Sequence, residues 1–391
     1  MKKLIENPNF MYIAAFSLPF AVYTLQWSTI YPALTNQLLY FYLFTFTVCL
    51  ILGSLIQISV PFKYIQIKPS SNNSKVLFLL YLLYLIESLY SKQVPLLQIA
   101  SGSFEYSEYS FGIPVLHTFL ISFNTFYAIY TFHQYISSRR THLILTFILA
   151  IFPFFLLVTR SSILHVLLGS FFVYLLSRPN LSIRIVLKSA IAILIVLFLF
   201  GMLGDIRSKS EDSSYIARIS GGTEQFLNSS VPKQYYWSYL YIASPVANLQ
   251  NNINFTSAPE GDYRSMIVNE FVPTFLTKFT FHTEERHFNQ INPFLNVGTI
   301  YVYCFSDLRW KGMLMMFVYF VTIINLYYIF LIKSERYRVS GLAILCNIIV
   351  FANFHNTISY SVISLQLVYP IIFSMNRLVK NRHIQQFQKM D

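Results

Sequence analysis

Ile183-Arg-Ile-Val-Leu-Lys188-Ser-Ala-Ile-Ala-Ile-Leu-Ile-Val-Leu-Phe-Leu-Phe-Gly201-Met-Leu-Gly204-Asp205-Ile-Arg207-Ser-Lys209 is the stretch on which the reading of this chain turns. From Ser189 to Gly204 it has no charged residue, and a segment of about 20 apolar residues crosses a hydrocarbon core. At Asp205 the composition changes. From there to Lys311 the chain carries nine basic and ten acidic residues. That segment is too polar to cross a bilayer and is expected to stand in water on one side of it.

Nine further apolar segments flank this junction, at 10–30, 38–60, 76–90, 114–136, 143–159, 161–177, 312–332, 339–354 and 357–376, and 185–204 makes the tenth. The whole composition agrees. Hydrophobic residues make up 55% and charged residues 11%, against about 25% charged in soluble domains, so a soluble chain of 391 residues would lack polar cover. Phe (38) and Tyr (29) are abundant enough to form belts at both membrane surfaces. Cys49, Cys304 and Cys346 show no metal or redox spacing, and no disulfide is expected. No small-residue cleavage site follows Met1-Lys2-Lys3, so the first apolar stretch is expected to stay as a helix. The expected fold is an all-α polytopic membrane protein. About ten transmembrane helices form one integral domain over 1–391, with 205–311 as a long extracytoplasmic loop.

Charge sets the orientation. One set of connections carries seventeen Lys and Arg, from Lys2 and Lys3 through Arg139 and Arg140 to Lys389, against Glu6, Glu335 and Asp391. The opposite short connections carry only Lys92 and Arg160. Basic connections stay in the cytoplasm, which places both termini there and requires an even number of spans. The net charge of +12 is therefore a topology signal. Its basic residues are scattered over short connections, without the single patch that nucleic acid needs. A second outer loop, Ser91 to Ile113, mixes Glu105 and Glu108 with Tyr106 and Tyr109.

Several residues carry chemistry at the outer face. Arg160, in Thr159-Arg160-Ser161 at a hairpin tip, is costly at that depth unless it reaches headgroups or binds an anion. Its planar fork suits phosphate. Arg207 and Lys209 leave the seventh span at headgroup height, where Gly201 and Gly204 permit close packing. Arg218, Arg264 and Arg286 lie further along, and together these cations suit a diphosphate, or else a solvated loop balanced by its own acids. His282 and His287 flank Glu284, Glu285 and Arg286 at a spacing of five, which is not the zinc-protease pattern. His117 and His355 stand near outer span ends and accept a proton near neutral pH unless buried against a helix carbonyl. Glu87 is an intramembrane carboxylate. Tyr235-Tyr236-Trp237-Ser-Tyr239-Leu-Tyr241 offers aromatic faces to sugars or an anchor to the membrane surface. No nucleotide-binding loop, nucleophile elbow or metal-binding acid pair is present, and neither a metal nor a cofactor is expected.

With these features the chain resembles the bacterial O-antigen polymerase family of Wzy-type repeat-unit polymerases. The matching patterns are Phe111-Gly-Ile-Pro-Val-Leu-His117, Thr159-Arg160-Ser161, Gly204-Asp205-Ile-Arg207, Tyr241-Ile-Ala-Ser-Pro245-Val-Ala-Asn248 and Asn296-Val-Gly298-Thr-Ile-Tyr301. The His355-Asn356 pair is also similar to the related O-antigen ligases, although Ser359 and Tyr360 stand where those have leucine. The resemblance implies an undecaprenyl-diphosphate-linked oligosaccharide as donor and a second such unit as acceptor, at the outer face of the inner membrane. A chain-length regulator is a possible partner. The acceptor hydroxyl attacks the donor's anomeric carbon and lipid diphosphate leaves. That requires charge stabilisation and a base. The residues expected to meet donor or acceptor are Arg160, Arg207, Arg264, Arg286, His117 and Glu108, with His355 as base and His282 as second choice.

Three rivals compete. A lipid-linked oligosaccharide flippase resembles a bundle of more spans with short loops and a charged central cavity. A ligase shares the donor with a different acceptor, and a sugar O-acyltransferase requires a cytosol-facing acyl site. The topology is tested by cysteine labelling in a variant lacking Cys49, Cys304 and Cys346. An impermeant thiol reagent is expected to label a cysteine placed at Ser229 in intact cells, with any outer membrane permeabilised, and to spare one at Ser71. The opposite pattern inverts the orientation.

Overall fold

A computed structural model of the protein describes residues 2–102, 111–208, 212, 214–259, 261–280 and 286–375. All regular elements among them are helices. Before the junction at Asp205 these are α1 (Lys2–Glu6), α2 (Pro8–Tyr23), α3 (Asn36–Ser59), α4 (Asn73–Ser91), α5 (Pro95–Ala100), α6 (Leu116–Ser138), α7 (Thr141–Leu156), α8 (Arg160–Leu176) and α9 (Ile183–Ser208), which runs through it. Then come α10 (Tyr215–Ile219), α11 (Glu224–Leu227), α12 (Tyr235–Phe255), α13 (Tyr263–Met266), a π-helical turn (Ile267–Phe271) and α14 (Thr274–Thr280). The chain continues into α15 (Val302–Leu331) and α16 (Arg338–Phe351). The last described helix is α17 (Ser361–Met375), with a 3-10 turn at Leu365–Leu367.

Each of the ten apolar segments holds a helix. Four of them, α3, α4, α9 and α15, are long and apolar enough to cross a membrane. The others are shorter or more polar, and α2 and α7 each contain a proline, Pro19 and Pro153. Large apolar side chains stand exposed on α3, α4 and α9, among them Ile58, Phe78, Leu89 and Val196. Water does not favour a continuous surface of this kind, and lipid does. Polar pins hold the apolar helices in register, as hydrogen bonds do where burial of apolar surface gives no preference. Asn7 caps α2 by accepting from Asn9 N at 3.0 Å and donates to the Gly53 carbonyl of α3 at 2.7 Å. Asn9 donates to Asn325 of α15 at 2.7 Å.

The segment 205–311 contains helices of its own. Its longest element, α12, lies inside the bundle against α2, α9 and α15. Two glycines let it in. A Cβ at Gly201 would overlap the carbonyl oxygen of Gln234, and one at Gly204 would run into the Trp237 ring. Trp237 Nε1 then donates to Asp205 at 2.8 Å. Tyr236 and Tyr239 are buried against Trp27 and Phe226, so this part of the aromatic stretch is core, where neither a sugar nor a membrane surface reaches it. The polar residues of α12 also point inward. Asn248 donates to the carbonyls of Leu295 and Val297 and accepts from Ile291 N. One turn later Asn252 donates to the Asn289 carbonyl and accepts from Asn289 N. Two asparagines at i and i+4 on one helix face thus act as the hydrogen-bonding partner of an extended chain.

Gly201→Val is expected to force α12 off α9 and to cost about 1–3 kcal/mol, the range for overpacking a filled site. Thermal unfolding in detergent should show the loss, and an unchanged midpoint would mean that the two helices do not depend on this approach.

Candidate functional site

Contacts draw the polar residues to one end of the bundle. The end of α4 meets the start of α6 through Glu87 and His117. The start of α6 meets α14 through Phe119 and Phe275, whose ring centroids are 5.5 Å apart. Thr274 N of α14 donates to the Ser359 carbonyl beyond α16 at 2.8 Å. Ile300 N, just before α15, donates to the Ala352 carbonyl at 2.8 Å. The start of α8 meets the end of α16 where His165 lies on Phe351, 4.1 Å between centroids.

At the centre of this end lies Arg286. Its Nη1 donates to Glu270 Oε1 and its Nη2 to Asp307 Oδ1, each at 2.6 Å. The guanidinium lies over the Tyr303 ring at 5.0 Å. Glu270 is turned inward by the π-helical turn, a feature that often re-aims a side chain at functional positions. Its second oxygen accepts from Asn356 Nδ2 at 2.9 Å. Asn356 is itself held by its own turn, its Oδ1 accepting from Ile358 N and Ser359 N. Gly261 lets the backbone press on Asp307, since a Cβ there would overlap Oδ1. Burial pushes the Glu270 carboxyl above its usual range, against the pull of Arg286 and Asn356.

Beyond Asp307 the helix kinks. Arg309 is held at φ +58°, ψ −140°, a conformation that side chains other than glycine rarely adopt. Its guanidinium lies over Phe305 at 4.5 Å, and its Nη1 is buried without a hydrogen-bond partner among the described residues.

The residues singled out from the sequence divide. Arg160 opens α8 and Arg264 lies in α13; both are exposed, and neither side chain enters a hydrogen bond or ion pair among the described residues. Val158, in the turn before α8, stands at φ +57°, which a β-branched residue rarely adopts. Arg286 is engaged within the protein: each arm of its fork holds a carboxylate, which gives it a scaffold role in this cluster. His355 also differs. Its ring is packed between Phe351 and Tyr360, its Nε2 is buried without a partner among the described residues, and burial pulls the imidazole down to about 4. Such a group is neutral at pH 7 but far weaker than a base matched to that pH. His117 and Glu87 are joined, Nδ1 to Oε2, at 2.8 Å. His282 and Glu108 lie outside the described residues, as do Lys209 and the Arg207 side chain.

Glu270, Asp307 and Arg309 were missed. A sequence signal existed for two of them: Asp307 and Arg309 stand immediately before an apolar span, where charge is costly. Glu270 carries no such signal, because its burial depends on a π turn and on a partner 16 residues away.

Comparison with family models, with characterised proteins and with solved structures gives no match.

Arg286→Ala would leave two buried carboxylates without their cation, and breaking a buried pair of this kind costs about 3–5 kcal/mol. Adding Glu270→Gln and Asp307→Asn to that variant is expected to recover much of the loss, read as the midpoint of unfolding in detergent. Equal stability of Arg286→Ala and wild type would remove the scaffold role.

Proposed function

We propose that this chain polymerises undecaprenyl-diphosphate-linked oligosaccharide repeat units at the outer face of a bacterial inner membrane, crossing it ten times with both termini in the cytoplasm. The observation that carries the proposal is the division of cations at one end of the bundle. Arg286 is held by Glu270 and Asp307, whereas Arg160 and Arg264 are exposed, with no side-chain hydrogen bond or ion pair among the described residues. Glycosyl transfer from a lipid diphosphate develops negative charge on the leaving oxygen, and positioned guanidinium groups stabilise it. An arginine at the first position of α8 adds its charge to the positive end of that helix, which raises the local attraction for an anion. The lipid tail of donor and acceptor has apolar helix faces beside it, of which α9 is the barest, with 6% of its apolar stretch buried.

A deletion strain tests the reaction class. A polymerase mutant leaves one repeat unit on the lipid anchor of the surface glycan. A ligase or flippase mutant leaves none, and unchanged glycan would overturn the proposal altogether. In the complemented strain Arg160→Ala is expected to abolish polymer while the protein stays in the membrane. Arg160→Lys should leave a shortened remnant, since it keeps the charge and loses the fork. Polymer of normal length from Arg160→Ala would reduce that residue to an interfacial anchor.

A further inference from the structure

We infer that Glu87 and His117 form the proton-accepting dyad of this site, with His117 Nε2 as the base and Glu87 as the residue that positions it, an assignment that rests on the glycosyl-transfer reading. Glu87 is fully buried near the end of α4. Its Oε2 meets His117 Nδ1 at 2.8 Å, and its Oε1 has no hydrogen-bond partner among the described residues. In the tautomer in which Nδ1 donates to Glu87 Oε2, the lone pair is left on Nε2. Glutamine would hold the ring in the same place without the cost of burying a charge. What the acid adds is stabilisation of the imidazolium that forms when Nε2 takes a proton.

The backbone around the ring is built to fix it. Gly112 stands at φ +89°, and a Cβ there would lie 2.7 Å from His117 Cγ and Nδ1. Gly112 N donates to Ser91 Oγ at 2.8 Å, which ties this turn to the end of α4. The Phe111 ring meets the imidazole edge-on, with centroids 5.5 Å apart. Val115, directly before α6, is held at φ +69°, a region that a β-branched residue avoids. Strain of this kind persists where the surroundings over-determine it, and it concentrates at functional sites. The ring is not sealed: the His117 side chain keeps 20% of its surface exposed, and Nε2 enters no hydrogen bond among the described residues. His355, in contrast, has no carboxylate at either ring nitrogen among the described residues and is closed in by aromatic rings.

The step balances without a further reactant. The acceptor hydroxyl oxygen bonds to the donor's anomeric carbon as the bond from that carbon to the diphosphate oxygen breaks. The electron pair leaves on the diphosphate, at the rim where Arg160 and Arg264 are exposed. The hydroxyl proton passes to His117 Nε2 and is then released to water.

Membranes from the deletion strain, which hold its own unextended lipid-linked unit, supply the substrate for purified full-length protein. A base contributes about 10²–10⁴-fold, and His117→Ala and His117→Gln are expected to lose turnover in that range. Glu87→Gln keeps the shape and loses the charge. It is expected to lower kcat about tenfold, because the imidazolium that forms loses its counter-charge, with KM for the lipid-linked unit unchanged. A loss carried by KM would overturn the positioning role of Glu87. Should the histidine variants unfold, carbethoxylation of His117 in wild-type protein, located by mass spectrometry, decides. Turnover that falls in step with modification supports the dyad, and turnover that survives complete modification overturns it. Wild-type protein that joins no units sinks the glycosyl-transfer reading. Wild-type polymerisation matched within about twofold by His117→Gln sinks the dyad alone, because the expected loss is 10²-fold or more.

Discussion

The hold of Arg286 on Glu270 and Asp307 is the constraint on which the rest of this end of the molecule depends. The three side chains come from a π turn, an irregular segment and the first turns of α15, and Asn356 adds the turn beyond α16. A hydrophobic contact would tolerate sliding of these pieces. A forked cation between two carboxylates does not, because each misalignment strands a charge where water is scarce. The same geometry decides which arginines remain available. A guanidinium with both arms bonded to carboxylates has its charge already matched, and in the glycosyl-transfer reading anion binding falls to the exposed arginines.

The second constraint is the docking of α12. Gly201 and Gly204 remove side chains from one face of α9, and Trp237 closes the contact with its bond to Asp205. Behind this helix, Asn248 and Asn252 replace the missing backbone partners of the chain from Asn289 to Val297. An extended segment without a neighbouring strand has orphan amide and carbonyl groups, and a helix face of asparagines is one way to satisfy them. Polar sequence is therefore buried here for a structural reason, and it carries the irregular chain that delivers Arg286.

Hydropathy made the helical segments legible, since an apolar stretch of span length leaves few other options. It gave no sign that α12 within 205–311 packs against the apolar helices, because a mean value counts every asparagine as a vote for solvent. The spacing of Asn248 and Asn252 held the missing information, but only the position of their partners turns that spacing into a buried contact. At the site, Arg160, His117 and Glu87 were recognisable as charges or titratable groups in or beside apolar spans. Whether an arginine is free or spent is not a property of its neighbours in sequence. Arg286 and Arg264 both lie in the same polar segment, and only the fold gives one of them two carboxylates. The same holds for the histidines: His355 and His117 both sit at helix ends, and one finds aromatic rings while the other finds a buried acid.

The charge balance of the scaffold bears on where an anion can go. Arg286 contributes one positive charge against two carboxyl groups, so the cluster is neutral only when one proton is held within it. Burial moves Glu270 in that direction. A neutral or slightly negative centre gives a diphosphate no reason to penetrate beyond the rim, and the exposed arginines give it a reason to stop there. In the glycosyl-transfer reading this separates two tasks that interfere when one cation attempts both. A guanidinium bonded to two buried carboxylates is held in place by them, whereas a guanidinium that receives and releases a substrate must do without such partners in between. Placing the first kind at the centre and the second at the edge lets one end of the bundle be rigid and still exchange its ligand.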